Sequence, residues 1–245
     1  MTDWGDDPRL TGEHVRTVTG RTGTVTLVGV VHDHPASAYR AREVVVERDP
    51  GVLALELPPL ALPLFRQYAD DGRRLPAFGG EMSAAIRGAR TDRIVGIDGM
   101  TPGFLRRVAR RLRRERVDAR TVRDVAAGLL SATRGAVVCR AAAALGSLAS
   151  VRVEVDSPAA HGVDRTDDPG RQAAGERRRM GRARSVLEAL DPPRSARLLD
   201  GAREARMADR LGALCCRGDV VAVVGRDHLE PVADRLRDAE SDPES

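Results

Sequence analysis

The stretch "TLVGVVHDHPAS", Thr26–Ser37, decides the fold class, because an apolar run of strand length ends in two histidines and an aspartate. The run is continuous rather than alternating, which predicts a strand buried on both faces, as in a parallel sheet. A helical pattern begins after His34-Pro35 and ends at Asp49-Pro50-Gly51. Strand-to-helix steps of this kind are typical of α/β folds, whose sites lie where the strands end.

The same pattern recurs along the chain and predicts an open, mostly parallel central sheet flanked by helices. An edge strand and a turn precede the first buried strand, over residues 15–24, and a mostly helical insertion of about 101–202 separates the third buried strand from the last. We expect this insertion to cover the sheet edge in part. One domain of residues 1–238 and a disordered tail, 239–245, complete the prediction. The predicted buried strands are Val25–Val31, Val52–Leu57, Arg93–Asp98 and Val220–Gly225.

Within the insertion, "VRVEV" (Val151–Val155) is a strand candidate, and Ala159–Gly175, rich in Asp, Gly and Pro, is predicted to be a loop.

The composition favours a soluble, cytoplasmic α/β protein. The chain has 245 residues, 42% of them hydrophobic and 2% aromatic, with a formal net charge of +4 and arginine as its only strongly basic residue. Three cysteines form neither a disulfide framework nor a CxxC metal motif. Charged residues interrupt the most apolar stretch, Val122–Val151, so no transmembrane segment is predicted. The shortage of aromatic side chains for base stacking makes nucleic acid an unfavoured partner, and the oligomeric state stays open.

Polar residues from distant parts of the chain converge on one edge of the predicted sheet. All parallel strands end there, and the helices that lead into the next strand begin there. Gly29 and Gly225 each come three residues before a histidine. A glycine at such a position allows a tight strand exit and lets the backbone approach a ligand closely. The seven expected edge residues are His32, Ser37, Glu56, Glu81, Asp98, Arg203 and His228.

Two histidines and several carboxylates at one edge suit a divalent metal such as Mn, Co, Zn or Fe. The predicted ligands are His32, His228 and Glu56. One or both of Glu56 and Glu81 are expected to bind the metal, and a glutamate that stays free is a candidate general base. A bound metal supplies a water nucleophile, and Arg203 is a candidate for stabilising a carboxylate or an oxyanion.

Structural roles compete with these functional ones. Ser37 and Asp98 fit helix N-caps, and Glu81 fits a first-turn acid favoured by the helix dipole. Arg203 fits a neutralising partner for a buried glutamate. His34 and Asp33 are expected to be loop residues, and His161 receives no role.

The pairing of "GVVH" (Gly29–His32) with "GRDH" (Gly225–His228) resembles the two GxxH motifs of the TraB/PrgY family. That family groups with the Tiki proteases, the erythromycin-esterase-like proteins and the ChaN-like proteins. "GGEMSAAIRGA" (Gly79–Ala89) is similar to the family's Gly-x-Glu-Met block. Two departures stand out: after the third strand only Asp98 remains of an Asp-Arg-Asp motif, and Ala202 stands where the family has an acid before Arg203.

The resemblance implies two alternatives for function, and the Arg-rich segments add a third. Tiki members resemble metal-dependent peptidases, so the first is a metal-dependent hydrolase that acts on a small or peptide-like substrate. PrgY-type members limit peptide-pheromone activity, so the second is a non-enzymatic regulator that binds a peptide or another ligand. The Arg-rich segments, such as Phe104–Val117, leave a third, an adaptor with a basic surface.

Overall fold

The computed structural model describes residues 6–149, 161–189 and 192–241. A five-stranded sheet with the order β1-β2-β5-β3-β4 lies between two layers of helices. Every neighbouring pair is parallel except β1 with β2, which are antiparallel. This confirms the predicted α/β class with an open, mostly parallel sheet. The strands are β1 (Val15–Thr19), β2 (Thr24–Val30), β3 (Val52–Leu55), β4 (Ile94–Gly96) and β5 (Val220–Gly225).

Helices connect the parallel strands and fill the segment between β4 and β5, in agreement with the predicted helical insertion. A short 3-10 turn, Gly12–His14, precedes β1. The helices are α1 (Pro35–Arg48), α2 (Leu62–Ala69), α3 (Gly80–Gly88), α4 (Pro102–Arg114), α5 (Ala119–Ala149), α6 (Pro169–Ala189), α7 (Arg194–Cys215) and α8 (Arg226–Ser241).

The central strands are buried on both faces, which explains their continuous apolar sequences. Leu27 of β2 packs in a cluster with α7 and α8, whereas its neighbour Val28 packs in a second cluster with α1 and α3. Successive strand residues point to opposite faces, so both must be apolar when helices cover both sides of the sheet.

Strand β5 is the last strand in the sequence, but in the sheet it lies between β2 and β3, the first two of the parallel strands. It pairs with β2 on one side and with β3 on the other, so the β2-α1-β3 connection passes over it. The ends of β2, β5 and β3 are therefore adjacent. Segments more than 160 residues apart in sequence meet at this point, which is where ligands bind in open α/β sheets.

The helices of the insertion that precede α7 pack on other helices, namely α1, α2 and α7. Phe104 and Val108 of α4 are buried against Val125 of α5 and Ala202 of α7. Glu176 of α6 is buried against α1. Within the described ranges, α5 is the one helix whose length and composition, over Ala119–Ser147, are sufficient to cross a membrane, and it meets that requirement only marginally.

Several predicted boundaries were wrong. The apolar positions Ala208, Leu211 and Leu214 predict a helix that begins after Arg203. Helix α7 instead begins at Arg194, so Arg203 lies inside it, because Leu198 and Ala202 extend its buried face. The predicted loop 159–175 becomes helical at Pro169, where Asp168 accepts a hydrogen bond from the Arg171 amide and caps α6.

Helix α8 continues to Ser241, into the segment predicted as a disordered tail, and the Ser241 hydroxyl donates back to the carbonyl of Arg237. The strand predicted at 151–155 and residues 242–245 lie outside the described residues.

Candidate functional site

The polar residues that follow the central strands lie at one edge of the sheet, as predicted. His32 comes two residues after β2, and Glu56 directly follows β3. Asp98 comes two residues after β4. His228 lies in the first turn of α8, which begins immediately after β5. The sheet order therefore brings these four side chains together.

His32 is held by Glu81 at the start of α3. The Nδ1 atom of His32 lies 2.7 Å from Glu81 Oε1, and the other oxygen of Glu81 accepts a hydrogen bond from the Asp33 amide at 3.0 Å. Glu81 is 3% exposed, whereas the His32 side chain is 65% exposed. The hydrogen bond to Glu81 is the main influence that raises the pKa of His32 to about 9, against the opposing effect of burial. Both oxygens of Glu81 are thus engaged, so this residue positions His32.

Arg203 occupies the centre of the acidic cluster. It donates three hydrogen bonds to Asp98: Nε is shared between Oδ1 at 3.2 Å and Oδ2 at 3.1 Å, and Nη2 donates to Oδ2 at 2.7 Å. Nη2 also donates to Glu56 Oε1 at 2.6 Å. Burial acts to lower the pKa of Arg203, but the hydrogen bond to Asp98 and the charges of Asp98 and Glu56 raise it. The guanidinium is therefore charged and neutralises two carboxylates at once.

His228 is oriented by a carboxylate in the same way as His32. Its Nδ1 atom lies 3.3 Å from Glu204 Oε1, and its Nε2 atom lies 3.3 Å from Arg203 Nη1 and 3.4 Å from Glu56 Oε1. An arginine can only donate, so in the neutral ring with its proton on Nδ1, Nε2 accepts from Arg203 while Nδ1 donates to Glu204. Burial lowers the pKa of His228, but Glu204 and Glu56 outweigh it and the pKa is raised.

Gly225, the last residue of β5, marks the point at which these groups meet. A Cβ atom on this residue would lie 3.4 Å from Glu56 Oε2, 3.7 Å from His228 Cδ2 and 3.7 Å from His32 Nε2. The Gly225 amide also donates to Glu56 Oε2 at 2.6 Å. The missing side chain therefore leaves a space shared by two imidazoles and a carboxylate.

Two acidic residues of the site were missed from the sequence. Glu204 contacts His228, and Asp200 Oδ1 lies 3.6 Å from Arg203 Nη1. Positions 200, 203 and 204 share one face of α7, a spacing that would have revealed them had the helix been predicted to begin at Arg194. Ala202, where the TraB/PrgY pattern has an acid, is instead buried against Phe104.

Three of the candidate residues have structural surroundings that differ from the expectation. Gly29 faces α8 rather than the site, since a Cβ there would lie 2.9 Å from Leu229 Cδ2. Asp98 pairs with Arg203, and Thr101 caps α4 in its place. Ser37 is not the N-cap of α1, because the side chain of His34 accepts the capping hydrogen bond from the Ala36 amide.

Ser37 belongs to a second, fully buried polar cluster beneath the site. Its hydroxyl accepts from the Val31 amide at 2.7 Å and donates to Glu176. Arg40, which is 0% exposed, donates to both oxygens of Glu176 and also to the carbonyl of Gly29 at 3.1 Å. Burial acts to raise the pKa of Glu176, but Arg40 keeps it lowered, so the pair is ionised. This cluster fixes the strand exit that leads to His32.

Two buried histidines beside this cluster predict acid sensitivity. Burial is the main influence that lowers the pKa of His14 and of His34 to about 4. The unfolded chain binds these protons near pH 6.5, so stability is lost as the pH falls from about 6.5 towards 4. We expect each histidine to lower the free energy of unfolding by about 2 kcal/mol when the pH falls from 7 to 5. The charged or titratable groups around them are Arg16, Arg40, His161, Glu176, Arg179 and Arg226.

Urea unfolding at the two pH values in the variants His14→Asn and His34→Asn measures this effect, and each substitution should reduce the pH dependence. His32→Asn is the matched control, since the raised pKa of His32 moves its contribution above pH 6.5. An unchanged pH dependence in both test variants would contradict the prediction.

The site opens onto a cavity of about 580 Å³ between α2, the start of α3 and the middle of α5. His32, Glu56 and Glu81 lie in its wall, together with Arg165 from the segment before α6. Most of the remaining wall is apolar. The cavity has the size of a small-molecule site, in which a few polar groups orient a mainly apolar ligand.

The donor set fits a divalent metal by its chemistry but does not enclose one. Metal-bound histidines commonly donate their second ring nitrogen to a carboxylate, as His32 does to Glu81 and His228 to Glu204. Glu56 adds an oxygen donor next to both rings. In the parts of the chain that the structure describes, however, no three His, Cys, Asp or Glu side chains form a ready metal-binding group.

Comparison of the chain with models of protein families, with curated proteins and with solved structures gives no significant match.

Proposed function

We propose that this protein is a metal-dependent hydrolase of the TraB/PrgY type, with its active centre in the space beside Gly225. One observation carries the proposal: two histidines, each with Nδ1 directed to a carboxylate, meet Glu56 around a single glycine. A divalent cation, of the Mn, Co, Zn or Fe kind, would be held by His32, His228 and Glu56. It would replace the Nε2 proton of His32.

A bound cation supplies an activated water and polarises the bond to be cleaved. The chain provides the remaining functions. Glu81 and Glu204 fix the ring orientation and the tautomer of the two histidines. Glu56 accepts from Arg203 at Oε1 and from the Gly225 amide at Oε2, so each oxygen keeps one lone pair, one for the cation and one for accepting a proton from water. The positively charged guanidinium of Arg203 lies next to Glu56, where it would stabilise the negative charge that develops on the substrate.

Metal analysis and hydrolysis assays test the proposal directly. The purified protein is incubated with Mn, Co, Zn or Fe, passed over a desalting column and analysed for bound metal. We expect one equivalent in the wild type and its loss in His32→Ala, whereas His14→Asn, a histidine outside the site, retains it. A wild type without stoichiometric metal, or a His32→Ala variant with unchanged metal, would overturn the proposal.

Glu81, the carboxylate that orients His32, is expected to affect the affinity for the metal without being a ligand. Glu81→Gln keeps the size of the side chain but removes the charged acceptor for Nδ1, so the ring loses its fixed tautomer. We expect metal affinity to fall by about 10- to 100-fold, the usual cost of removing a partner that orients a metal-bound histidine. Competition with a chelating dye measures the affinity, and an affinity equal to that of the wild type would contradict this role.

A non-enzymatic regulator is the second candidate, and the arrangement of Arg203 favours it. This guanidinium already neutralises Glu56 and Asp98 and contacts Nε2 of His228, so it competes with a cation for two of the proposed ligands. A regulator would bind a peptide or a small molecule in the cavity with saturation and without turnover. A peptidase and esterase screen with each added metal distinguishes the two.

A further inference from the structure

The cavity beside the polar cluster combines an apolar interior with a polar wall at His32 and Glu56. Two of the three Phe residues of the chain, Phe65 and Phe78, line it, together with Tyr68. The protein is 2% aromatic, so a wall with three aromatic side chains is unusual for this chain. These side chains pack with Leu64 of α2 and Ala142 of α5 in a small apolar cluster, apart from the two clusters that cover the faces of the sheet. Aromatic walls with few polar groups are typical of sites for apolar ligands.

Small residues keep the cavity open on two sides. On α5 the wall is formed by Ala132, Gly135, Ala136 and Cys139. At the start of α3, Gly79 has a φ of +76°, and a Cβ there would overlap with Ser83 Oγ of the same helix and lie 2.9 Å from Tyr68 Cδ2. Substitution would therefore strain the backbone and push on the aromatic wall. The sequence keeps side chains out of this volume rather than filling it, as packed cores are filled.

We propose that the cavity binds an unbranched acyl chain of the substrate, so that the bond to be hydrolysed lies beside His32 and Glu56. This inference rests on the proposed hydrolase function and names its substrate class as acyl esters or acyl amides with an extended apolar chain. The cavity volume of about 580 Å³ accommodates such a chain, and its contact with His32 and Glu56 places the carbonyl end at the polar wall. Each methylene buried from water strengthens binding by about fourfold.

Gly135 offers a way to fill the cavity without disturbing the fold. It lines the cavity on an exposed part of α5, and a Cβ built on it meets no atom within 4 Å. Gly181, on an exposed part of α6, has the same open surroundings and does not line the cavity. Replacing either helical glycine by phenylalanine is tolerated or favourable for the helix. The two variants therefore form a matched pair.

Binding of the fluorescent fatty acid cis-parinaric acid tests the cavity without requiring turnover. We expect saturable binding to the wild type and to Gly181→Phe, and at least tenfold weaker binding to Gly135→Phe. All three proteins should retain the same circular dichroism and the same metal content. Absence of saturable binding, or an equal effect of the two substitutions, overturns the inference.

Hydrolysis of p-nitrophenyl esters links the cavity to the reaction. With metal added, we expect kcat/KM for the octanoate to exceed that for the acetate by at least tenfold in the wild type and in Gly181→Phe. In Gly135→Phe we expect the two esters to have equal kcat/KM. Equal rates for both esters in the wild type would overturn the acyl-chain inference and leave the hydrolase proposal standing. If the protein binds no metal and hydrolyses neither ester, the hydrolase proposal is overturned, and the assignment of an acyl substrate falls with it. In that case the parinaric acid result decides only whether the cavity binds acyl chains.

Discussion

Replacing Glu176 by glutamine is expected to lower the free energy of unfolding by about 3–5 kcal/mol, the usual cost of removing one partner from a buried ion pair. Arg40 is fully buried, and Glu176 is 1% exposed. The substitution preserves the shape of the side chain but leaves the guanidinium charged without its counter-charge. Chemical denaturation monitored by circular dichroism measures the change.

Two further variants separate this effect from a general sensitivity to substitution. The double variant Arg40→Met/Glu176→Met removes both charges and should recover part of the loss, because a buried pair can be replaced by apolar residues at little cost. Glu115→Gln removes an exposed partner of Arg111 and should cause no measurable change. An E176Q variant as stable as the wild type would show that the pair does not hold α6 on α1.

Gly225→Ala is expected to lower the proposed activity by about 100-fold while the protein remains folded. The added methyl would make ordinary contacts of 3.4–3.7 Å with Glu56, His32 and His228, and the backbone of Gly225 is not in the left-handed region. It would nevertheless occupy the space that these three groups share. We expect kcat/KM to fall by about 100-fold, as for other displacements of reacting groups by about 1 Å. Metal content and thermal melting are measured on the same samples.

The control for this variant is Gly212→Ala in α7, where an added Cβ meets no atom within 4 Å. This change should leave metal binding and hydrolysis at the level of the wild type. A G225A protein that binds metal and hydrolyses substrate as the wild type does would place the reaction elsewhere in the molecule. A G225A protein that fails to fold would show that the space beside Gly225 is packed too tightly for a methyl.

The sequence predicted the fold class and most of the edge residues, because both depend on local patterns. Continuous apolar runs identify strands covered on both faces, and residues such as Glu56 that follow such runs must lie at the strand ends. The order of the strands depends instead on pairing between distant segments. No local pattern shows that β5 pairs with both β2 and β3, although this pairing brings His228 next to His32.

The partners of the predicted residues were harder to infer than the residues themselves. Glu204 was missed because α7 was predicted to begin too late, so its face was not recognised. Glu176 was missed because an acid in an Arg-rich helix resembles a surface residue, and only the packing of α6 on Arg40 shows that it is buried. His34 was expected to be a loop residue, and its burial as the cap of α1 follows from that same packing.

The central position of β5 has a consequence for biosynthesis. While the ribosome is still translating the insertion, β2 and β3 are already outside it, but the strand that must lie between them has not been made. The nascent chain therefore carries two apolar strands with unpaired edges, a state that promotes aggregation and that chaperones recognise. The three groups around Gly225 come together only when residues 220–225 emerge and insert, so the proposed active centre is among the last parts of the molecule to form.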